Sequence, residues 1–358
     1  MLKYLRYLLL PFSLLYGFVI LLRNKAFDWG ILKSVEFNFP TIVIGNLAVG
    51  GAGKSPMTEY LIRKLGKKYK LATLSRGYGR KTTGFLEVMQ NDDVAKVGDE
   101  PLQFKRKYPQ ITVAVCEDRV KGVSQLKQNH ETIILDDAYQ HRALKPGFSI
   151  LLLEYKSLFK PKFLLPAGNL RDTFNQRRRA DIIVISKSPQ LLTDDEKREA
   201  LKRVNVSTSQ NILFSYLDYG QPYWLNSKRQ GGYNKVPNLD QDQVVLLVTG
   251  IANPESLFNY LETQVSQVYL LKYPDHHNFT KQDIKKITSK FDSMTEHNKL
   301  IVTTEKDAQR LSSNYLSDLV QPLPITVLPI ETAFNNKDER ILEERVFNYC
   351  ESKKQICI

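Results

Sequence analysis

Residues 49–56, VGGAGKSP, have the types and spacing that hold a chain of phosphates. Gly50, Gly51 and Gly53 let the N–H groups of the segment, those of Val49 and Ala52 included, turn inward around phosphate oxygens. Lys54 reaches the β- and γ-phosphates and the Ser55 hydroxyl ligates Mg²⁺. The helix running on through Pro56 adds its positive N-terminal dipole. The strict spacing asks for glycine at position 48, where Ala48 stands, and the doubled glycine supplies the freedom nearby. A guanine reader needs N/T-K-x-D. ISKSPQ at 185–190 has no aspartate in place, and Glu305 stands where TEKD would need lysine, so the nucleotide expected is ATP. A second segment, TIILDDA at 132–138, delivers Asp136 and Asp137 to the carboxyl end of an apolar strand. Two adjacent carboxylates there repel each other unless a cation sits near them, which makes them the expected magnesium partners.

Phosphoryl transfer is mostly positioning and neutralisation, but a group must still take the acceptor's proton. Asp99 and Glu100, in KVGDEP, precede a helix, where an acidic pair also serves as an N-cap. His276 and His277, in YPDHHNF, follow a strand. His141 lies one helical turn beyond the aspartates and reads as a structural hydrogen-bonding group, while His130 and His297 read as surface residues.

These residues need elements to present them. Short runs rich in Val, Ile and Leu recur at 41–46, 70–77, 111–117, 132–138, 148–154 and 181–187, with helical spacing between them. Near-continuous apolar strands alternating with helices predict a doubly wound α/β domain with a parallel sheet, whose ligands bind beyond the strands' carboxyl ends. The pattern lapses into polar, aromatic, turn-rich sequence around Gly231 and Gly232, then resumes at 242–250, 267–273, 299–307 and 325–331. The expected division is a membrane-associated helix at 1–30 and a phosphate-loop domain at 31–205. A linker with short strands at 206–241 and a smaller α/β domain with a tail at 242–358 follow. One continuous sheet is the alternative.

The first thirty residues differ in kind. Residues 7–22 are apolar throughout, with Lys3 and Arg6 before them and Arg23 and Lys25 after. Sixteen helical residues reach about 24 Å, short of a hydrocarbon core of about 30 Å. Charge at both ends suits a helix lying at the headgroups. The net charge of +13 calls for an anionic partner, and anionic lipid or a phosphorylated substrate fits better than nucleic acid, because no basic stripe interleaved with aromatics is present. Cys116, Cys350 and Cys357 are odd in number and scattered, which suits a reducing compartment. No obligate protein partner is expected.

GNLAVGGAGKSP, SRGYGRK, VGDEP, CEDR, LDDAYQH, LLPAGNLRD, PDHHNF and TEKDAQRL occur in this order and together resemble the tetraacyldisaccharide 4′-kinase (lipid A 4′-kinase) family over about residues 1–335. The resemblance implies transfer of the γ-phosphate of ATP to the 4′-hydroxyl of an acylated glucosamine disaccharide 1-phosphate, at the cytoplasmic face of the inner membrane. It implies Lys54, Ser55, Asp136 and Asp137 in the nucleotide and metal site, and Asp99 as catalytic base with His276 as its partner. Arg119, Arg171 and Asp172 are implied as further active-site positions. Ser55 and Asp172 stand where the family often has Thr and Glu, and the adjacent His277 leaves open which imidazole is used. The competing reading from the residues is a membrane-associated phosphate-loop ATPase acting as a switch or assembly factor.

Overall fold

A parallel strand covered on both faces buries every side chain, so its sequence runs apolar at consecutive positions instead of alternating. In the computed structural model, which describes residues 6–205, 210–226 and 238–354, the apolar runs of the first half join a nine-stranded sheet. Its order from edge to edge is Ile330–Phe334, Asn211–Tyr219, Ile182–Ser186, Phe148–Glu154, Thr41–Asn46, Thr132–Asp136, Leu71–Ser75, Thr112–Val115 and Leu86–Glu87. Only the two edge pairings are antiparallel. Ile42, Ile44, Ile134 and Ile150 fill the core on one face, and Val43, Ile133, Leu135 and Leu151 fill the other. From Thr41–Asn46 the chain winds first to one side and later to the other. A crevice therefore opens at that strand's carboxyl end, where Ile44 lies opposite Asp136.

A separate five-stranded sheet has the order Tyr223–Trp224, Ile325–Leu328, Lys299–Thr304, Val244–Thr249 and Gln267–Lys272, parallel apart from its first short strand. The single continuous sheet is thereby excluded. Two features of the expected division differ. The segment read as a linker holds the nine-residue strand Asn211–Tyr219, which pairs with Ile182–Ser186 and so belongs to the first sheet. Residues read as the end of the second domain also return: Ile330–Phe334 pairs with Asn211–Tyr219, and the helix Asn336–Lys354 packs Leu342, Val346 and Cys350 into the first domain's core. Gly231, Gly232 and Cys357 lie outside the described residues.

The N-terminal helix Leu10–Asp28 starts inside the apolar run 7–22 and continues past its end, and it tolerates Pro11 because that residue occupies its first turn, where a missing N–H costs nothing. With the turn before it, the stretch Arg6–Asp28 is long and apolar enough by length and composition to cross a membrane. It is not a core helix: Leu8, Phe12, Leu14, Leu15, Phe18 and Val19 are all exposed, whereas Ser13 and Asn24 are buried. Polar side chains fasten it. Ser13 donates to the Leu164 carbonyl at 3.0 Å and accepts from the Ala167 amide at 2.9 Å, and Tyr16 donates to the Arg171 carbonyl at 2.9 Å.

Candidate active site

The strand Thr41–Asn46 runs into the glycine-rich segment, and the helix Lys54–Leu65 begins at its far end. Gly53, the N-cap, has φ of 84°, a left-handed conformation that costs glycine little, and no side chain caps the helix. Its first-turn N–H groups and dipole thus point where an anion would sit. The Lys54 ammonium donates to Asn46 Oδ1 at 3.3 Å and lies 3.7 Å from Asp137 Oδ2. Arg171 reaches the same place, donating to Asn46 Oδ1 at 2.7 Å, to Asp137 Oδ2 at 3.2 Å and also to Asp137 Oδ1.

The two aspartates have opposite electrostatics. Burial acts to raise the Asp137 carboxyl, but Lys54 and Arg171 outweigh it and hold the group below the usual carboxylate range. Asp136 accepts the Thr58 hydroxyl at 3.0 Å, and its carboxyl is pushed up to about 7, by burial first and then by the charges of Glu100 and Asp137. Asp136 is thus a buried carboxylate short of positive charge.

Asp99 and Glu100 open the helix Asp99–Lys107 and face two ways. Glu100 Oε1 accepts the Ser55 hydroxyl at 2.7 Å, on the phosphate-loop side. Asp99 Oδ2 lies 3.1 Å from His276 Nδ1 and also accepts from Arg310, both on the second domain, while its Oδ1 accepts the Glu100 amide at 3.0 Å. Burial opposes ionisation of Asp99, yet the His276 hydrogen bond and the Arg310 charge hold its carboxyl far below the usual range. The same hydrogen bond raises the pKa of His276. His277 turns away: its Nε2 lies 3.0 Å from Asp283 and its ring stacks on Tyr273, so it serves the second domain's own packing. Among the described residues, the non-glycine positions with positive φ are Asp137, Lys187, Asn205 and His276. All but Asn205 sit just beyond the carboxyl ends of strands at this site, where strained backbone concentrates.

The remaining expected positions divide. Arg119 is buried beside the site, donating to the carbonyls of Cys116 (3.2 Å) and Glu117 (3.0 Å) with Nε unpartnered, and burial lowers its pKa. Asp172 is not brought to the centre. Its Oδ1 accepts from Asn24 of the N-terminal helix at 2.9 Å and from the Thr173 amide at 2.8 Å, so it fastens that helix next to Arg171. Sequence reasoning missed Asn46, Lys187, Lys306 and Arg310, and left Glu100 open between a proton-accepting pair with Asp99 and a helix cap. Ser186 donates to the Ala52 carbonyl at 2.8 Å, which sets Lys187 against the loop near Gly51. The usable signal was position, since Asn46, Lys187 and Lys306 each stand at or just past the carboxyl end of a β-strand.

Comparison with known proteins points to one family. The sequence profile of the family described as tetraacyldisaccharide-1-P 4′-kinase matches residues 5–347. The chain is 41% identical over 346 residues to a tetraacyldisaccharide 4′-kinase of Phocaeicola vulgatus, covering 95% of this chain and 94% of that one. Against the protein of that name from Flavobacterium psychrophilum it is 41% identical over 358 residues, covering 98% of each chain. Its fold is similar to that of LpxK from Aquifex aeolicus, solved in complex with ATP. The TM-score is 0.72 at 29% identity, covering 96% of this chain and 99% of that one.

Proposed function

The chain belongs to the tetraacyldisaccharide 4′-kinase family, and on that premise we propose how its residues move the γ-phosphate of ATP to the 4′-hydroxyl of a tetraacyl glucosamine disaccharide 1-phosphate. The observation that carries this reading is the pair at 99–100. Through Glu100 it touches Ser55 of the phosphate loop at 2.7 Å, and through Asp99 it touches His276 of the second domain at 3.1 Å. Nucleotide holder and proton acceptor therefore meet at one helix start.

The amides of residues 49–55 and Lys54 hold the triphosphate, while Arg171 and Arg119 supply further positive charge for the phosphates of nucleotide or acceptor. Asp99, kept ionised, fixes the His276 ring through Nδ1. Nδ1 is occupied by Asp99 and by Arg310 at 3.0 Å, whereas Nε2 has the Asp275 carboxylate no closer than 3.9 Å, beyond hydrogen-bond range, and is the open basic atom of the pair. The pair takes the acceptor's proton as the new P–O bond forms, and seating of the second domain keeps water away from the phosphoryl group.

Magnesium fits the residues present. The Asp136 carboxyl, pushed up to about 7 by burial and then by neighbouring negative charge, is the oxygen chemistry a hard cation neutralises. Ser55 and Asp136 would hold the ion, with Asp137 set beside them by Lys54 and Arg171. Among the described residues no cluster of three or more His, Cys, Asp or Glu side chains could hold a metal alone, which suits an ion that keeps phosphate oxygens and waters as ligands. When bound it neutralises charge on the β- and γ-phosphates.

The acceptor's acyl chains stay in the bilayer at about 0.8 kcal/mol per buried CH₂, so the enzyme must come to the lipid. The exposed apolar face of Leu10–Asp28 suits that surface, at the cytoplasmic side of the inner membrane where ATP is found. The test is transfer from γ-labelled ATP to detergent-dispersed disaccharide lipid by wild type, Asp99→Ala and His276→Ala. Both variants should lose about a hundredfold or more in turnover while still binding ATP. Full activity in either removes that residue from the pair.

A further inference from the structure

The short helix Glu305–Leu311, which begins the TEKDAQRL segment's contact with the first domain, carries charged and polar side chains with separate partners there. Glu305 pairs with Lys107 at 2.8 Å, Gln309 accepts from Arg106 at 2.8 Å, and Arg310 bonds Asp99. These contacts join the second domain to the first. Lys306 is differently placed. Its ammonium bonds Glu100 Oε1, the same oxygen that accepts the Ser55 hydroxyl, so it stands one atom from the phosphate loop. Burial alone would discharge it, but the carboxylates of Glu100, Asp99 and Asp136 outweigh burial and keep it an ammonium.

The backbone beneath Lys306 is tied down by hydrogen bonds. Asp307, fully buried, accepts from the hydroxyls of Thr304 (2.8 Å) and Thr249 (3.0 Å) and from the Gly250 amide (3.0 Å). The Gly250 carbonyl in turn accepts the His276 amide at 3.1 Å. Lys306 and His276 are thus presented on one braced edge of the second domain, towards the phosphate loop.

We propose that Lys306 is a catalytic cation delivered by the second domain, whose ammonium leaves Glu100 for the oxygens of the phosphoryl group in flight. The inference rests on the kinase reading above and adds a residue to it. Lys54 belongs to the loop and meets the triphosphate as soon as it binds. Lys306 arrives only with the second domain seated, so its attraction is expressed where charge spreads over the transferring oxygens. In that step the bond from the γ-phosphorus to the bridging oxygen breaks and ADP leaves. The bond to the acceptor oxygen forms, the acceptor proton passes to the Asp99–His276 pair, and Lys306 remains an ammonium throughout.

The experiment measures calorimetric affinities of the full chain for ATP, ADP and ADP with magnesium and aluminium fluoride, a mimic of the planar phosphoryl group, without lipid acceptor. Turnover is measured alongside for wild type, Lys306→Met and Lys306→Arg. Lys306→Met should bind ATP and ADP within about threefold of wild type, lose about thirtyfold or more in affinity for the fluoride complex, and lose about a thousandfold in kcat. Lys306→Arg should recover part of both losses, which an interdomain strut would not require of the fluoride complex. Unchanged affinity of Lys306→Met for the fluoride complex, or equal losses for all three ligands, overturns the proposal. A melting curve for each variant separates these results from misfolding, and Lys306→Arg carries the test if the methionine variant does not fold. Because no acceptor is present, a wrong assignment of the Asp99–His276 pair leaves the affinity comparison intact. A wrong kinase reading shows in the turnover assay instead, as wild type releasing inorganic phosphate without phosphorylating the lipid.

Discussion

The helices at the two ends of the chain are each nineteen residues long and bury opposite kinds of side chain. Leu10–Asp28 buries Ser13 and Asn24 and leaves most of its leucines and phenylalanines outside. Asn336–Lys354 buries Leu342, Val346 and Cys350, spaced by four so that they form one stripe, and turns Glu and Lys outward. A helix in water against a core does what the second one does. The first presents an apolar outer face that the proposed membrane surface would cover, and hydrogen bonds from Ser13, Tyr16 and Asn24 hold it to the protein. Those bonds end on residues 164–172, the segment that also carries Arg171 into the active site, so the proposed membrane contact and the phosphate site share one scaffold.

The contrast can be broken from either end. The largest effect is expected from Leu14→Lys, Leu15→Lys and Phe18→Lys combined. Removing three apolar anchors of about 1.5 kcal/mol or more each should lower partition onto phospholipid vesicles about a thousandfold, as read by co-sedimentation, with the melting temperature nearly unchanged. If the helix packs in water instead, the triple variant sediments like wild type. Next comes Val346→Asp on the other helix, which buries an unpaired carboxylate in the first domain's core. It should cost about 3–5 kcal/mol in denaturant unfolding and leave vesicle partition of the folded fraction intact. A smaller effect is expected of Asn24→Ala, which strips a partner from the buried Asp172. We expect about 1–3 kcal/mol of lost stability and a raised KM for lipid, since the helix loosens beside Arg171. Ser13→Ala should be mildest, about 1 kcal/mol, because the Leu164 and Ala167 backbone groups lose one shared hydroxyl.

How legible each part was in the sequence follows from how local its cause is. The central strands were readable because burial on both faces writes itself as consecutive Val, Ile and Leu. The strand Asn211–Tyr219 was not, since Ser215 and Asp218 interrupt it and one of its two neighbours, 330–334, is far off in the chain. The return of Asn336–Lys354 to the first domain was hidden for the same reason, although its stripe of Leu342, Val346 and Cys350 marked an amphipathic helix. In the site, the glycine loop and the Asp136–Asp137 pair could be read from strand, turn and helix in order. Lys306, Arg310 and the outward face of Glu100 could not, because their meaning depends on which domain surface they meet. Asp172 sits beside Arg171 in sequence, yet their side chains point to different neighbours, one to Asn24 and the other to Asp137.

The most direct test follows the labelled γ-phosphate when the full chain meets ATP, magnesium and the disaccharide 1-phosphate lipid dispersed in detergent. We predict label in the lipid as a phosphate ester on the 4′-oxygen, with little inorganic phosphate. Label released only as inorganic phosphate, at a rate indifferent to lipid, contradicts the account and points to an ATPase.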